Sequence, residues 1–141
     1  MIKVLMVGLG SIGQRHVRNL RTVLGSGVEI MAWRTQKLNH VLSDNLTIQS
    51  HGDLEREYSI NTLDTLEEGL AQSPEAVFVT NPTSMHVPVA LLAAEAGCNI
   101  FIEKPLSHGL DYVGRLQDLV SRKGLVALVG YQMRFHPCLV L

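Results

Sequence analysis

The chain has 141 residues, of which 46% are hydrophobic, 18% charged and 5% aromatic, with 12 Lys+Arg against 13 Asp+Glu and a formal charge of -1. That length and composition fit one globular domain and exclude a disordered tail, and the scattered, balanced charge argues against nucleic acid or a membrane surface as partner. Two cysteines, Cys98 and Cys138, without a C-x-x-C pair, indicate neither a disulfide framework nor a thiolate zinc site and suit a reducing, cytoplasmic setting.

The N-terminal run Met1-Ile2-Lys3-Val4-Leu5-Met6-Val7 is largely apolar but has no basic lead-in and passes straight into Gly8, which predicts a first strand over residues 3–7 and not a signal peptide. Further on, no uninterrupted apolar run approaches the roughly 18 residues of a membrane span. The spacing over Ser11–Leu24 predicts a helix with Ile12, Leu20, Val23 and Leu24 on one face, ended by Gly25-Ser26-Gly27. Val28–Trp33 predicts the next strand. Weak periodicity over residues 35–58 predicts one short helix there and leaves room for a third strand.

From Thr62 the signal returns. Asp64-x-x-Glu67 predicts a capping box, and Leu63, Leu66 and Leu70 the stripe of a helix of about ten residues closed by Pro74. Residues 76–80 predict a strand. Ser84 then caps a helix with Val87, Ala90, Leu91 and Ala94 inward, ended by Gly97. Asn99–Ile102 predicts another buried strand, residues 107–123 a helix carrying Leu110, Val113, Leu116 and Val120, and residues 125–129 the last strand after Gly124. Strand and helix alternating in this way predict an α/β fold, an open parallel sheet with helices on both faces and a ligand crevice at the carboxyl ends of the strands.

The chemistry-bearing residues stand just after predicted strands. Gly8-Leu9-Gly10-Ser11-Ile12-Gly13 is a G-x-G-x-x-G between a strand and a helix, the context in which that pattern signifies a dinucleotide site on a Rossmann-type, doubly wound sheet. Gly8 serves the tight turn, Gly10 the approach of a pyrophosphate and Gly13 the packing of helix on sheet, with the free N–H groups of the helix start, at Ser11 and Ile12, toward the anion. At the end of the second strand, where an acidic residue reads the ribose of NAD, this chain has Trp33-Arg34-Thr35. Arg34 and Thr35 suit a 2′-phosphate and favour NADP(H) over NAD(H); a guanidinium stacked on the adenine is the alternative.

Asn81 and Pro82 follow the fourth predicted strand and face the cofactor, as does His86 in the next helical turn, read as a cofactor-side contact and not as a proton carrier. Glu103-Lys104-Pro105 follows a buried strand. A lysine there can donate to a substrate hydroxyl or carbonyl oxygen, although two charges at a strand end also fit a surface ion pair. His16, His40, His51, His108 and His136 show no ligand spacing, so no metal site is expected, and neither a G-x-S-x-G nor a Walker A pattern occurs.

Taken in order, the segments from Gly8 to His16, from Thr80 to His86 and from Ala96 through Glu103-Lys104-Pro105 to Ser107 resemble the glucose-fructose oxidoreductase and inositol dehydrogenase family, Gfo/Idh/MocA. Gly130-Tyr131-Gln132-Met133-Arg134-Phe135-His136-Pro137 resembles that family's exit from its last Rossmann strand, with Gln132 where Asn is common. The resemblance implies hydride transfer between nicotinamide and a sugar, cyclitol or sugar derivative, with Lys104 as the catalytic lysine. It further implies that residues 1–130 form the NAD(P)-binding domain, that residues 131–141 begin the connection to a second, substrate domain beyond this chain, and that the complete enzyme is a homo-oligomer through that second domain. A non-catalytic, dinucleotide-binding redox sensor is the competing reading, which Glu103-Lys104-Pro105 disfavours.

Overall fold

The computed structural model, which describes residues 1–35, 40–43, 45, 47–49 and 52–139, builds a six-stranded sheet in the order β5-β2-β1-β6-β7-β8. Its strands are β1 (Ile2–Val7), β2 (Val28–Trp33), β5 (Asn61–Leu63), β6 (Ala76–Val79), β7 (Asn99–Ile102) and β8 (Ala127–Val129), and every pairing between them is parallel. The chain first builds outward through β2 to β5, then returns to the other side of β1. The crevice above the carboxyl ends of β1 and β6 is therefore the switch point at which open α/β sheets bind ligands.

Alternation along each strand sorts its side chains between two cores. Leu5 and Val7 join Met31, Val77, Val79, Ile100 and Ile102 on one face, under α3 (Leu66–Ala71), α4 (His86–Glu95) and α5 (Val113–Lys123). Val4 and Met6 join Val28, Ile30 and Ala32 on the other, under α1 (Ser11–Leu24) and α2 (Leu54–Tyr58). Burial on both faces is why the strands read as short, nearly continuous apolar runs.

Several elements differ from the sequence expectation. In α1 the buried residues are Gly13, Gln14 and Val17, with Leu20 and Leu24 packed behind them, while Val23 is 78% exposed. Gln14 can turn inward because its amide nitrogen donates to Leu9 O and His40 O and its oxygen accepts from Leu42 N. Within residues 35–58 the short helix is α2, and the strands there, β3 (Val41–Leu42) and β4 (Ile48–Gln49), pair antiparallel in a ladder of their own. Residues 36–39, 44, 46, 50 and 51 of that stretch, and 140–141 of the last segment, lie outside the described residues.

The third strand of the main sheet is β5, and it contains Leu63, which the sequence reading assigned to a helical stripe. The capping box falls one residue later than expected: Thr65 Oγ1 accepts from Glu68 N, and the Glu68 carboxylate accepts from the N–H groups of Asp64 and Thr65. α3 is accordingly a six-residue helix. α4 begins at His86 after a 3₁₀ turn over Thr83–Met85, so Ser84 is not its cap, and Pro88 sits in the first turn where its missing N–H leaves no bond unmade. α5 begins only at Val113, because Tyr112 is left-handed (φ 61°), and Leu110 is 88% exposed. Residues 125 and 126 precede β8 and do not belong to it. Among the described residues no helix is long and apolar enough to cross a membrane.

Candidate functional site

The carboxyl end of β1 passes into α1 through a turn whose three glycines meet different surroundings. Gly8 has φ +96°, and a Cβ there would stand 2.9 Å from Asn81 N, so the turn is pressed against the segment leaving β6. A Cβ on Gly13 would stand 2.4 Å from Gly8 O and 2.9 Å from Thr80 Oγ1, so only glycine lets α1 approach this closely. Among the described residues a Cβ on Gly10 meets nothing within 4 Å, and neither a side-chain cap nor an acidic residue occupies the first turn of α1. The helix start is thus open and presents its N–H groups and positive dipole end to the crevice.

Thr80, at the end of β6, ties the turn in place. Its hydroxyl donates in a shared bond to Val7 O (3.1 Å) and Gly8 O (2.8 Å). The next side chain, Asn81, has both amide atoms buried and, among the described residues, without a hydrogen-bond partner. Leaving such a group unpaired costs about 1–3 kcal/mol, so its donor and acceptor call for a partner, whether a ligand or water.

Two cavities meet at this point. One, of about 360 Å³, is lined by Gly8, Leu9, Gly10, Arg34, Thr35, Thr80, Asn81 and Pro82. The other, of about 580 Å³, takes in Ile12, Arg15, His16, His86, Glu103 and Lys104 together with residues 128–132, 134 and 135, and shares Thr80, Asn81 and Pro82 with the first. The structure thus brings together all the sequence-derived candidates except Ser11 and Gly13, which belong to the turn and line neither cavity.

Within the crevice the candidates are held differently. The Arg34 guanidinium lies 3.9 Å from the Glu55 carboxylate. His86 is 1% exposed, with Nδ1 2.9 Å from Pro105 O and Nε2 2.8 Å from Asn81 O, so both ring nitrogens face protein carbonyls. Glu103 is also buried; Oε1 lies 2.7 Å from His16 Nε2 and Oε2 accepts from Lys104 N at 3.0 Å. Lys104 is exposed, and among the described residues its ammonium has no hydrogen-bond or ion-pair partner. No three His, Cys, Asp or Glu side chains gather as a metal site requires, again among the described residues.

Sequence reasoning passed over His16 because it looked for ligand spacing. The usable signal was its place three residues after Gly13, which puts it on the same face of α1 as the glycine turn. Arg15 and Arg134, which also line the larger cavity, left no such signal.

The residues present fit a dinucleotide on two counts, the orphaned Asn81 amide and the open space at Gly10 over a helix start. Sheet order, glycine turn and crevice together define a nucleotide-binding α/β domain. Residues 2–131 match the model of the Gfo/Idh/MocA oxidoreductases, described as an oxidoreductase family with an NAD-binding Rossmann fold, and the chain belongs to that family. It is 28% identical over 137 residues to the scyllo-inositol 2-dehydrogenase (NAD(+)) of Bacillus subtilis strain 168, covering 96% of this chain and 37% of that protein. Among solved structures it resembles the UDP-N-acetylglucosamine 3-dehydrogenase GnnA of Acidithiobacillus ferrooxidans (TM-score 0.77, 21% identity, 98% of this chain and 41% of that one). A second is GenD2 from gentamicin A biosynthesis, solved in complex with NAD (TM-score 0.77, 24% identity, 96% and 36%). The chain spans well under half the length of these relatives.

Proposed function

We propose that this chain is the NADP(H)-binding half of an oxidoreductase that moves hydride between nicotinamide and a sugar, cyclitol or sugar derivative. The observation that carries the reading is that the glycine-turn cavity and the cavity bearing Lys104 share Thr80, Asn81 and Pro82, so one elongated ligand can run from one to the other. The names of relatives that act on inositol and on a nucleotide sugar support the substrate class.

In this reading Gly8, Gly10 and the N–H groups of Ser11, Ile12 and Gly13 hold the pyrophosphate, and the Asn81 amide and Pro82 line its path. Arg34 and Thr35 take the adenosine 2′-phosphate; β2 ends without the carboxylate that would repel it, although the Bacillus relative is named for NAD(+). Bound nicotinamide supplies or accepts the hydride. Lys104 Nζ gives a proton to the substrate oxygen as a carbonyl becomes an alcohol and takes it back in the reverse direction, while its charge stabilises the alkoxide. Glu103 and His86 serve this crevice through the loops that they hold. Residues 1–130 constitute the cofactor domain and 131–141 lead toward a second domain that completes the substrate site and forms a homo-oligomer. The free thiols of Cys98 and Cys138 support a cytoplasmic setting.

The test is a titration of the chain with NADPH and with NADH, following the fluorescence of Trp33, which adjoins Arg34. NADPH is expected to bind tighter, and Arg34→Ala to remove about 1.5–3 kcal/mol of NADPH binding while changing NADH less. NADH binding tighter overturns the NADP preference alone. Saturable binding of neither, confirmed by calorimetry, overturns the functional reading.

A further inference from the structure

Lys104 stands between two residues that are each held by a histidine from a different helix. On its amino side the Glu103 carboxylate is fully engaged, Oε1 by His16 Nε2 at 2.7 Å and Oε2 by the N–H of Lys104 itself at 3.0 Å. The His16 ring is in turn fixed, edge-on to Phe101 (centroids 4.8 Å apart) and tilted against Phe78 (5.8 Å), two rings that stack on each other at 4.9 Å. Gly130 leaves room for this arrangement, since a Cβ there would stand 2.9 Å from the Phe101 ring and 3.3 Å from Glu103 Oε1. On its carboxyl side the Pro105 carbonyl lies 2.9 Å from His86 Nδ1 and Asn81 O lies 2.8 Å from His86 Nε2, so the ring donates to one carbonyl when neutral and to both as an imidazolium.

We propose that His16 and His86 are positioning residues that clamp the segment on either side of Lys104, and that His16 keeps the Glu103 carboxylate away from the Lys104 ammonium so that the ammonium is left to the substrate. The proposal rests on the reading that Lys104 faces substrate. The Glu103 carboxylate lines the same cavity as Lys104, where the other charged or titratable groups are Arg15, His16, His86, Tyr131 and Arg134, and a carboxylate close to an ammonium makes it hold its proton more tightly. Here both carboxylate oxygens are taken, and among the described residues the ammonium is unpaired. Released from His16, Glu103 is free to pair with Lys104, competing with the substrate oxygen and withholding the proton that the reaction needs.

The test needs neither substrate nor cofactor. Trace acylation of the chain with acetic anhydride, read by mass spectrometry across pH, gives the rate and the pH midpoint of Lys104, with Lys3 and Lys123 as internal standards. His16→Leu is expected to slow Lys104 acylation about threefold or more and to move its midpoint upward, leaving Lys3 and Lys123 unchanged. His16→Gln, whose amide still donates to the carboxylate, restores the rate to within about twofold, and Glu103→Gln added to His16→Leu also restores it, because no carboxylate remains to pair. His86→Phe, which keeps a ring but donates to neither carbonyl, is expected to change the Lys104 acylation rate about twofold or more while Lys3 and Lys123 stay unchanged. Should His16→Leu fail to fold, His16→Asn, with an amide too short to reach Glu103, takes its place.

A wild-type Lys104 rate and pH profile in His16→Leu overturns the proposal. So does an equal change in Lys3, Lys104 and Lys123, which would mark general loosening. The two ideas fail separately: a wild-type chain that binds no dinucleotide sinks the functional reading, while the acylation series still decides the clamp.

Discussion

The glycines of the first turn separate folding from binding. A Cβ on Gly13 meets backbone, Gly8 O at 2.4 Å, which cannot swing aside, whereas one on Gly10 meets nothing within 4 Å among the described residues. Gly13→Ala is therefore expected to cost about 1–3 kcal/mol of stability, read as a lower denaturant midpoint at unchanged slope. Gly10→Ala is expected to cost less than about 1 kcal/mol, as at a helix cap, and, on the proposed function, to put a methyl group in the path of the dinucleotide's phosphates and lower dinucleotide affinity by about tenfold or more. Equal effects of the two substitutions on both readouts would contradict this division. Asn81 belongs to the same scale: its amide, buried and unpaired among the described residues, supports the proposed ligand at a place that the turn alone does not identify.

At the scale of elements, short-range chemistry sets where helices begin, and a shift of one residue changes what they join. Thr65 and Glu68 close the capping box of α3, leaving Leu63 to β5 as a sheet residue. Thr65→Ala removes the side-chain acceptor for Glu68 N and is expected to cost about 1 kcal/mol, measurable by urea unfolding, while Asp64→Ala leaves the box itself intact. Loss of stability on Asp64→Ala equal to that on Thr65→Ala would return the box to the register read from the sequence. α4 was legible in advance because Val87, Ala90, Leu91 and Ala94 are all buried, and its start was not, because a 3₁₀ turn and not a side chain leads into it. The onset of α5 was hidden for a similar reason. A left-handed Tyr112 is not a residue type that announces a stop.

For the molecule as a whole, the core under α3, α4 and α5 is continuous from Leu66 to Leu116 and encloses Cys98, which is 2% exposed. Burial pushes the Cys98 thiol above its ordinary range, whereas Cys138 is exposed. The folded state thus favours the neutral thiol: this contribution to stability is complete below the unfolded thiol's pKa and is lost as pH rises through the folded one. Alkylation by iodoacetamide at about pH 8 is expected to modify Cys138 readily and Cys98 only as the core opens, so that Cys98 labelling rises with denaturant in step with loss of native Trp33 fluorescence. Labelling of Cys98 at the rate of Cys138 in the native protein would show that this core does not close.

The sequence by itself determined the alternation of strands and helices, the glycine turn between β1 and α1, and the family, because each rests on periodicity and turn chemistry that operate within a few residues. The tertiary structure alone decided the partners. Glu103 meets His16 across 87 positions of sequence, and His86 spans from Asn81 to Pro105 because α4 starts between the two loops. It also turned Gln14 inward and made an edge strand of Asn61–Leu63, whose polar start carries no strand signal of its own. Hydrogen bonds of this kind are chosen by which groups burial leaves without water, and that choice exists only once the sheet has assembled.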